Sequence, residues 1–202
     1  TFLKNKINQN KLFINPYGSG GLFKQSCQKK KYKLELTYVG NISIQKGVHI
    51  IIEAAKKIYS ILPEIHFTII GKGEEQLISQ IIDQKNMTYE GYKTHLELPL
   101  FMNRADLGLA PSIQDGYSLV VVQFICCKTP MIISEFVGAK DLLNNGGNSI
   151  ILDNNNPEDL ANIIIDIFNN NQILPKLIKG MDEINLDELS FNGYGNRWIN
   201  FL

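Results

Sequence analysis

Short apolar and β-branched runs alternate along this chain with longer stretches in which apolar residues recur every three or four positions. The short runs are Leu34–Val39, His66–Ile70, Met87–Tyr89, Leu107–Ala110, Met131–Ile133 and Ser149–Leu152, and each reads as a strand. Between them the helical period covers Val48–Tyr59, Glu74–Lys85, Leu96–Asn103, Ser118–Cys127, Gly138–Leu143 and Pro157–Asn169. The last of these opens on Pro-Glu-Asp, which suits a first helical turn: proline lacks the amide that would go unbonded there, and the acids face the positive end of the helix dipole. Strict alternation of strand and helix predicts an α/β fold. We expect a Rossmann-like parallel sheet of about six strands, covered by helices on both faces.

Several predicted strands run straight into glycine (Gly40, Gly71, Gly91) or into Pro111-Ser112. In an open parallel sheet, ligands bind in the crevice beyond the carboxyl ends of the strands. The turn residues cluster at those ends, so a site is expected there. The segment Ala110 to Leu143 carries the most information. It reads as strand end, polar loop, apolar helix, strand led by Pro130, glycine loop and helix start. Gln123 is the one long polar side chain in the apolar run Leu119–Cys127. A buried, unpaired amide costs about 1–3 kcal/mol, so it needs a partner.

Charge and cysteine usage narrow the classes. Twenty basic and twenty acidic residues cancel, which leaves no electrostatic argument for nucleic acid or an anionic membrane. The basic run Lys29-Lys30-Lys31 with Lys33 reads as a solvated surface run. Three cysteines, Cys27, Cys126 and Cys127, form neither a disulfide framework nor a metal spacing. They read as reduced and mostly buried, which suits the cytoplasm. No apolar stretch reaches signal-peptide or bilayer-spanning character. His49, His66 and His95 share no metal-ligand spacing and read as structural, and no Ser-His-Asp or Cys-His arrangement is legible.

The motif residues together resemble the donor-binding half of the retaining glycosyltransferases of the GT-B fold, the group 1 or GT4-like family. Ala110-Pro111-Ser112-Ile113-Gln114-Asp115-Gly116-Tyr117-Ser118-Leu119 and Gln123 stand where that family has P-S-x-x-E-G-F-G-L-x-x-x-E. Tyr38 to Ile58 is similar to F-V-G-R-L-x-x-x-K-G, with Gly40, Asn41, Lys46 and Gly47 in register. Ile69 to Ile82 is similar to I-x-G-x-G-x-x-x-x-L, and Gly91-Tyr92 to the turn beside the nucleobase. Phe13 to Phe23 resembles the hinge segment by which the chain enters the C-terminal domain. The tail from Leu186 resembles the closing helix, where Trp198 and Phe201, three apart, would share a face and pack into the core.

The resemblance implies roles. Lys46 would hold the donor diphosphate, with Asn41 in the place of an arginine; a solvated loop lysine is the plainer reading. Tyr92 would stack on the base or be a half-exposed loop tyrosine. Asp115 would touch the donor sugar or merely cap the following helix. The amides of Gly116, Tyr117, Ser118 and Leu119 would serve sugar and phosphate. Gln123 would take the ribose hydroxyls or be a buried amide bonded to backbone. Asp115 and Lys46 are the catalytic candidates, with no resident cofactor and no metal; the donor is a UDP- or GDP-sugar.

On this reading residues 1–30 are the entry segment, 31–185 the nucleotide-sugar-binding domain and 186–202 the closing helix. The expected function is to move a hexose from a nucleoside diphosphate to a glycan or lipid-linked acceptor. The acceptor would be held by an N-terminal domain absent from this chain, through which peripheral membrane association would also come. The departures at Asn41, Asp115 and Gln123 weaken donor binding without abolishing it. They equally fit a degenerate, non-catalytic module that binds a partner or glycan. A sugar-nucleotide epimerase of the same architecture would need acidic residues that the sequence does not place.

Overall fold

A computed structural model of the chain describes Phe13 and residues 15 to 201. The first twelve residues and Ile14, in the entry segment, and Leu202, at the end of the closing helix, lie outside the described residues. Six strands form the sheet: β1 (Leu34–Val39), β2 (Ile65–Ile70), β3 (Met87–Gly91), β4 (Leu107–Ala110), β5 (Met131–Ser134) and β6 (Ser149–Leu152). All pair in parallel, in the order β3-β2-β1-β4-β5-β6. The helices are α1 (Val48–Tyr59), α2 (Glu75–Asp83), α3 (Leu98–Arg104), α4 (Leu119–Cys126), α5 (Pro157–Asn169), α6 (Ile173–Met181) and α7 (Phe191–Phe201).

Period-two alternation divides each strand between two cores. Leu34, Leu36 and Tyr38 of β1 join Phe67 and Ile69 of β2 in a core shared with α1, α2 and α5. Ile70 and Ile133 face the opposite way, toward Phe101, Val121 and Phe124 of α3 and α4. The sheet is thus covered on both faces, as the alternation requires.

One polar seam crosses the α3 face. Glu35 is fully buried and receives two bonds from Arg104 Nε (2.9 and 3.1 Å), one from Arg104 Nη2 (2.7 Å) and one from Thr68 Oγ1 (2.7 Å). Beside it, His66 Nε2 lies 2.9 Å from Thr88 Oγ1, and its ring stacks on Tyr32 at 3.8 Å. Burial lowers the His66 pKa to about 4; Glu35 opposes that shift, while Lys31 and Arg104 add to it. His66 is therefore a neutral structural ring.

Two expectations need correction, and one helix is additional. Gly138–Leu142 is a single 3₁₀ turn rather than an α-helix. Helix α6 had no counterpart in the sequence reading: Pro175 and Gly180 interrupt its pattern, and it is held by the burial of Leu177 and Met181. Trp198 and Phe201 do share a face of α7, but they are 41% and 54% exposed. They pack on Phe13 of the entry segment, with centroids 4.9 and 4.2 Å away, and not into the core. Arg197 completes this strap, donating to Asn15 Oδ1 and the Pro16 carbonyl, both at 2.7 Å.

Two lysines of the basic run are paired on the surface: Lys30 with Asp106 at 2.7 Å and Lys33 with Glu64 at 3.3 Å. All three cysteines are free, Cys27 exposed and the other two buried. Burial pushes the Cys127 thiol up to about 12, which makes it an inert core group.

Candidate functional site

The strand order reverses between β1 and β4, so the loops that follow these two strands diverge and leave a crevice at their carboxyl ends. Two cavities fill it. One, of about 330 Å³, is walled by Asn41, Lys46, Ser112, Asp115 and the α4 start at Ser118, Leu119 and Val120. The other, of about 230 Å³, is walled by Ile70, Gly71, Lys72, Tyr92, Lys93 and Leu98. Val39, Gly40 and Asn41 at the end of β1 belong to both, so the cavities adjoin.

Close backbone packing shapes this edge. Gly47 precedes α1 at φ +72°, and a Cβ there would overlap the Pro111 carbonyl. Only glycine allows the β1–α1 loop to lie so tightly on the end of β4. That contact carries Lys46 across to the neighbouring loop, where its Nζ donates to Asp115 Oδ2 at 2.7 Å. The two side chains are 29% and 13% exposed.

Asp115 is not the cap of α4. The cap position is Ser118, whose own side chain makes no capping bond. Besides the Lys46 bond, the Asp115 carboxylate accepts a long one, 3.4 Å, from the Tyr117 amide, and its main chain bridges to Val137. Ser118 holds φ +66° and ψ +87°, a left-handed conformation that costs a non-glycine residue about 1–2 kcal/mol. Ser118, Leu119 and Val120 bring the α4 start to the larger cavity; the first amides of a helix have no intrahelical acceptor and mark the positive end of its dipole.

The remaining candidates divide. Asn41 lines both cavities, and its carbonyl accepts a 2.7 Å bond from the Tyr38 hydroxyl. Burial, and then the Asp115 charge, raise the pKa of that hydroxyl. Tyr92 is 68% exposed with Lys72 Nζ 5.6 Å from its ring centre. Tyr117 turns away from the crevice and packs edge-on against Tyr17 at 5.6 Å. Gly116 lies behind the wall, with its carbonyl tight against Gly138. Gln123 is 3% exposed and walls neither cavity; its Nε2 lies 3.4 Å from His95 Nε2 and its Oε1 has no partner among the described residues.

Sequence reasoning passed over Lys72 and Lys93. Lys93 is paired with Glu90 at 3.1 Å, whereas Lys72 has no ion pair among the described residues. Its place between Gly71 and Gly73, just beyond β2, was the signal available. Among the described residues no three His, Cys, Asp or Glu side chains converge as a metal site, and no helix is long and apolar enough to cross a membrane.

Residues 22–183 match the family model described as glycosyl transferases group 1. The chain belongs to this family. An uncharacterised glycosyltransferase of Methanocaldococcus jannaschii is 29% identical over 140 residues, which are 67% of this chain and 38% of the relative. Glycogen synthase of Mycobacterium tuberculosis is 31% identical over 119 residues, 55% of this chain and 28% of the relative. This group 1 chain therefore spans less than half the length of these relatives.

Its fold is that of GT-B glycosyltransferase structures. The crystal structure of Anabaena HepE in complex with UDP and glucose superposes with a TM-score of 0.83 at 18% identity, over 99% of this chain and 59% of that one. Staphylococcus aureus TarM, in complex with fondaparinux, α-GlcNAc-glycerol and UDP, gives 0.82 at 18% identity, over 98% and 41%.

Proposed function

We propose that this glycosyl transferase chain is the donor-binding lobe of a retaining enzyme that moves a hexose from a nucleoside diphosphate to a glycan or lipid-linked acceptor. The observation that carries the reading is the pair of adjoining cavities at the switch point. One presents mainly apolar surface, flanked by Tyr92 and by the stems of Lys72 and Lys93; the other has the Lys46–Asp115 pair and a helix start in its wall. A base suits the first and a diphosphate the second. That structures of similar fold hold UDP supports a nucleotide as the ligand.

In this reading residues 31–185 form the donor domain and 186–202 its closing helix. Lys46 and the α4 amides take the charge that develops on the departing diphosphate. Such preorganised electrostatic stabilisation is often the largest catalytic term. Asp115 orients Lys46 and meets the donor sugar. Acceptor and water exclusion belong to a second lobe, so this chain alone transfers no sugar.

Calorimetric titration with UDP and GDP tests the proposal. One of them binds with one-to-one stoichiometry, and Lys46→Ala weakens that binding about 10- to 150-fold, the range for a bond to a charged group. Absence of binding for both at millimolar ligand would leave a degenerate module as the better account.

A further inference from the structure

The turn that follows β2, Gly71-Lys72-Gly73, carries a single side chain. A Cβ on Gly71 would overlap the Gly40 carbonyl, and one on Gly73 the Ile42 carbonyl, so both places need glycine. Lys72 stands between them. Its carbonyl accepts the Ile42 amide at 2.9 Å, and the Gly71 amide donates to the Gly91 carbonyl at 2.9 Å. The Tyr89 hydroxyl donates to the Gly71 carbonyl at 2.9 Å. The turn is thus fastened to the loop after β1 on one side and to β3 on the other. From it Lys72 walls the smaller cavity, with its ammonium 5.6 Å from the centre of the Tyr92 ring. That is near the outer reach of a cation–π contact. Lys93, the other cation of this wall, is engaged by Glu90 at 3.1 Å and lies over the Phe101 ring at 5.3 Å. Lys72 has no ion pair among the described residues, so its three N–H donors are available to a ligand.

We propose that Lys72 selects the base of the donor nucleotide, taking a keto base (uracil or guanine) over an amino base (cytosine or adenine). The inference rests on the donor-binding reading above, with the base in the smaller cavity. An ammonium donates and cannot accept. The carbonyl oxygen at C4 of uracil or C6 of guanine accepts its bond. Cytosine and adenine carry an amino group at the same ring position, which meets the lysine donor to donor. The Asn41 amide and the Tyr92 hydroxyl both donate and accept, so neither tells the two classes apart. A ring laid on Tyr92 takes the face near which the ammonium now stands, and the ammonium passes to the rim of that ring. Lys72 does not wall the larger cavity, so its charge falls on the base rather than on the diphosphate.

The experiment titrates the whole chain by calorimetry with two keto–amino pairs, UDP against CDP and GDP against ADP. In the pair that binds, the keto nucleotide is held about three- to tenfold more tightly, the worth of one hydrogen bond. Lys72→Met keeps the stem and removes the donors; it weakens the keto nucleotide by that factor, leaves the amino one unchanged, and so erases the ratio. Lys72→Glu exchanges a donor for an acceptor and reverses the ratio. Because Lys72 is exposed, both variants keep the parent's thermal midpoint. A parent with no preference, or a Lys72→Met variant with the parent's ratio, would overturn this assignment while leaving the donor site intact. Equal losses for both members of a pair would overturn it too, by moving the lysine to the diphosphate. A parent that binds none of the four nucleotides would overturn the donor-binding reading itself, and this inference with it.

Discussion

Asp115→Asn should tighten the binding of a bare nucleoside diphosphate. In the empty crevice Lys46 is already engaged, with its ammonium 2.7 Å from Asp115 Oδ2. A phosphoryl oxygen bonded to the same ammonium at about 2.8 Å would lie roughly 4–5 Å from that carboxylate. Two unit charges 4 Å apart repel by about 1 kcal/mol in water and about 4 kcal/mol at an effective dielectric of 20. Asp115 is mostly covered and Lys46 partly wet, so the repulsion lies between these limits. Part of it is offset because the ammonium attracts both anions. A net gain of about 1 kcal/mol, near fivefold in Kd, is expected for UDP. Loss of this partly exposed pair should lower stability by about 0–1 kcal/mol. UDP-glucose should gain less than UDP, because Asp115 is the proposed contact of the sugar. The assay is calorimetric titration of both ligands at two ionic strengths, and the gain should shrink at high salt. A variant that melts like the parent yet binds UDP equally or more weakly would show that Asp115 and the diphosphate do not share Lys46.

Ser118→Gly should raise the urea midpoint by the equivalent of about 1 kcal/mol, because glycine holds φ +66° without the Cβ clash; no gain would mean that the loop is unstrained. Arg104→Met should cost about 3–5 kcal/mol by leaving the fully buried Glu35 without its charge partner, whereas Glu35→Leu combined with Arg104→Met should come close to the parent in urea denaturation. His66 is held neutral when folded, down to about pH 4, but takes a proton near pH 6.5 when unfolded. The unfolded chain thus binds more protons between these values, so stability falls as pH drops from 6.5 toward 4, by up to about 3 kcal/mol. His66→Gln should flatten that slope in unfolding curves taken at pH 7, 5.5 and 4.5; identical slopes would clear His66 of the effect.

The strands were legible because a sheet buried on both faces writes itself as short, nearly continuous apolar runs, such as Leu107–Ala110. Helices with a wide apolar face, α1 and α5, were equally plain. The turn at Gly138–Leu142 was overread because five residues suit a 3₁₀ turn as well as an α-helix, and the bridge from Asp115 to Val137 fixes the chain there. Helix α6 was hidden because burial, not propensity, holds it. In the site, the residues of the β1–α1 and β4–α4 loops could be named one loop at a time. The bond between Lys46 and Asp115 could not, since it depends on β1 and β4 being neighbours. The approach of His95 to Gln123 left no periodic trace, because it joins a loop to a helix across the core.

The adjacency of β1 and β4 also bears on how the chain can be taken apart. Lys46 and Asp115 are 69 positions apart, with β2, β3 and their helices between them. A cut in the loop after β3 would yield an amino fragment holding the lysine and a carboxyl fragment holding the aspartate and the α4 start. Neither piece would have a donor pocket. Nucleotide would bind only where the two pieces had rejoined along the β1–β4 seam, and by mass action it would draw them together. Split in this way, the chain becomes a two-part reporter in which ligand affinity measures correct strand order.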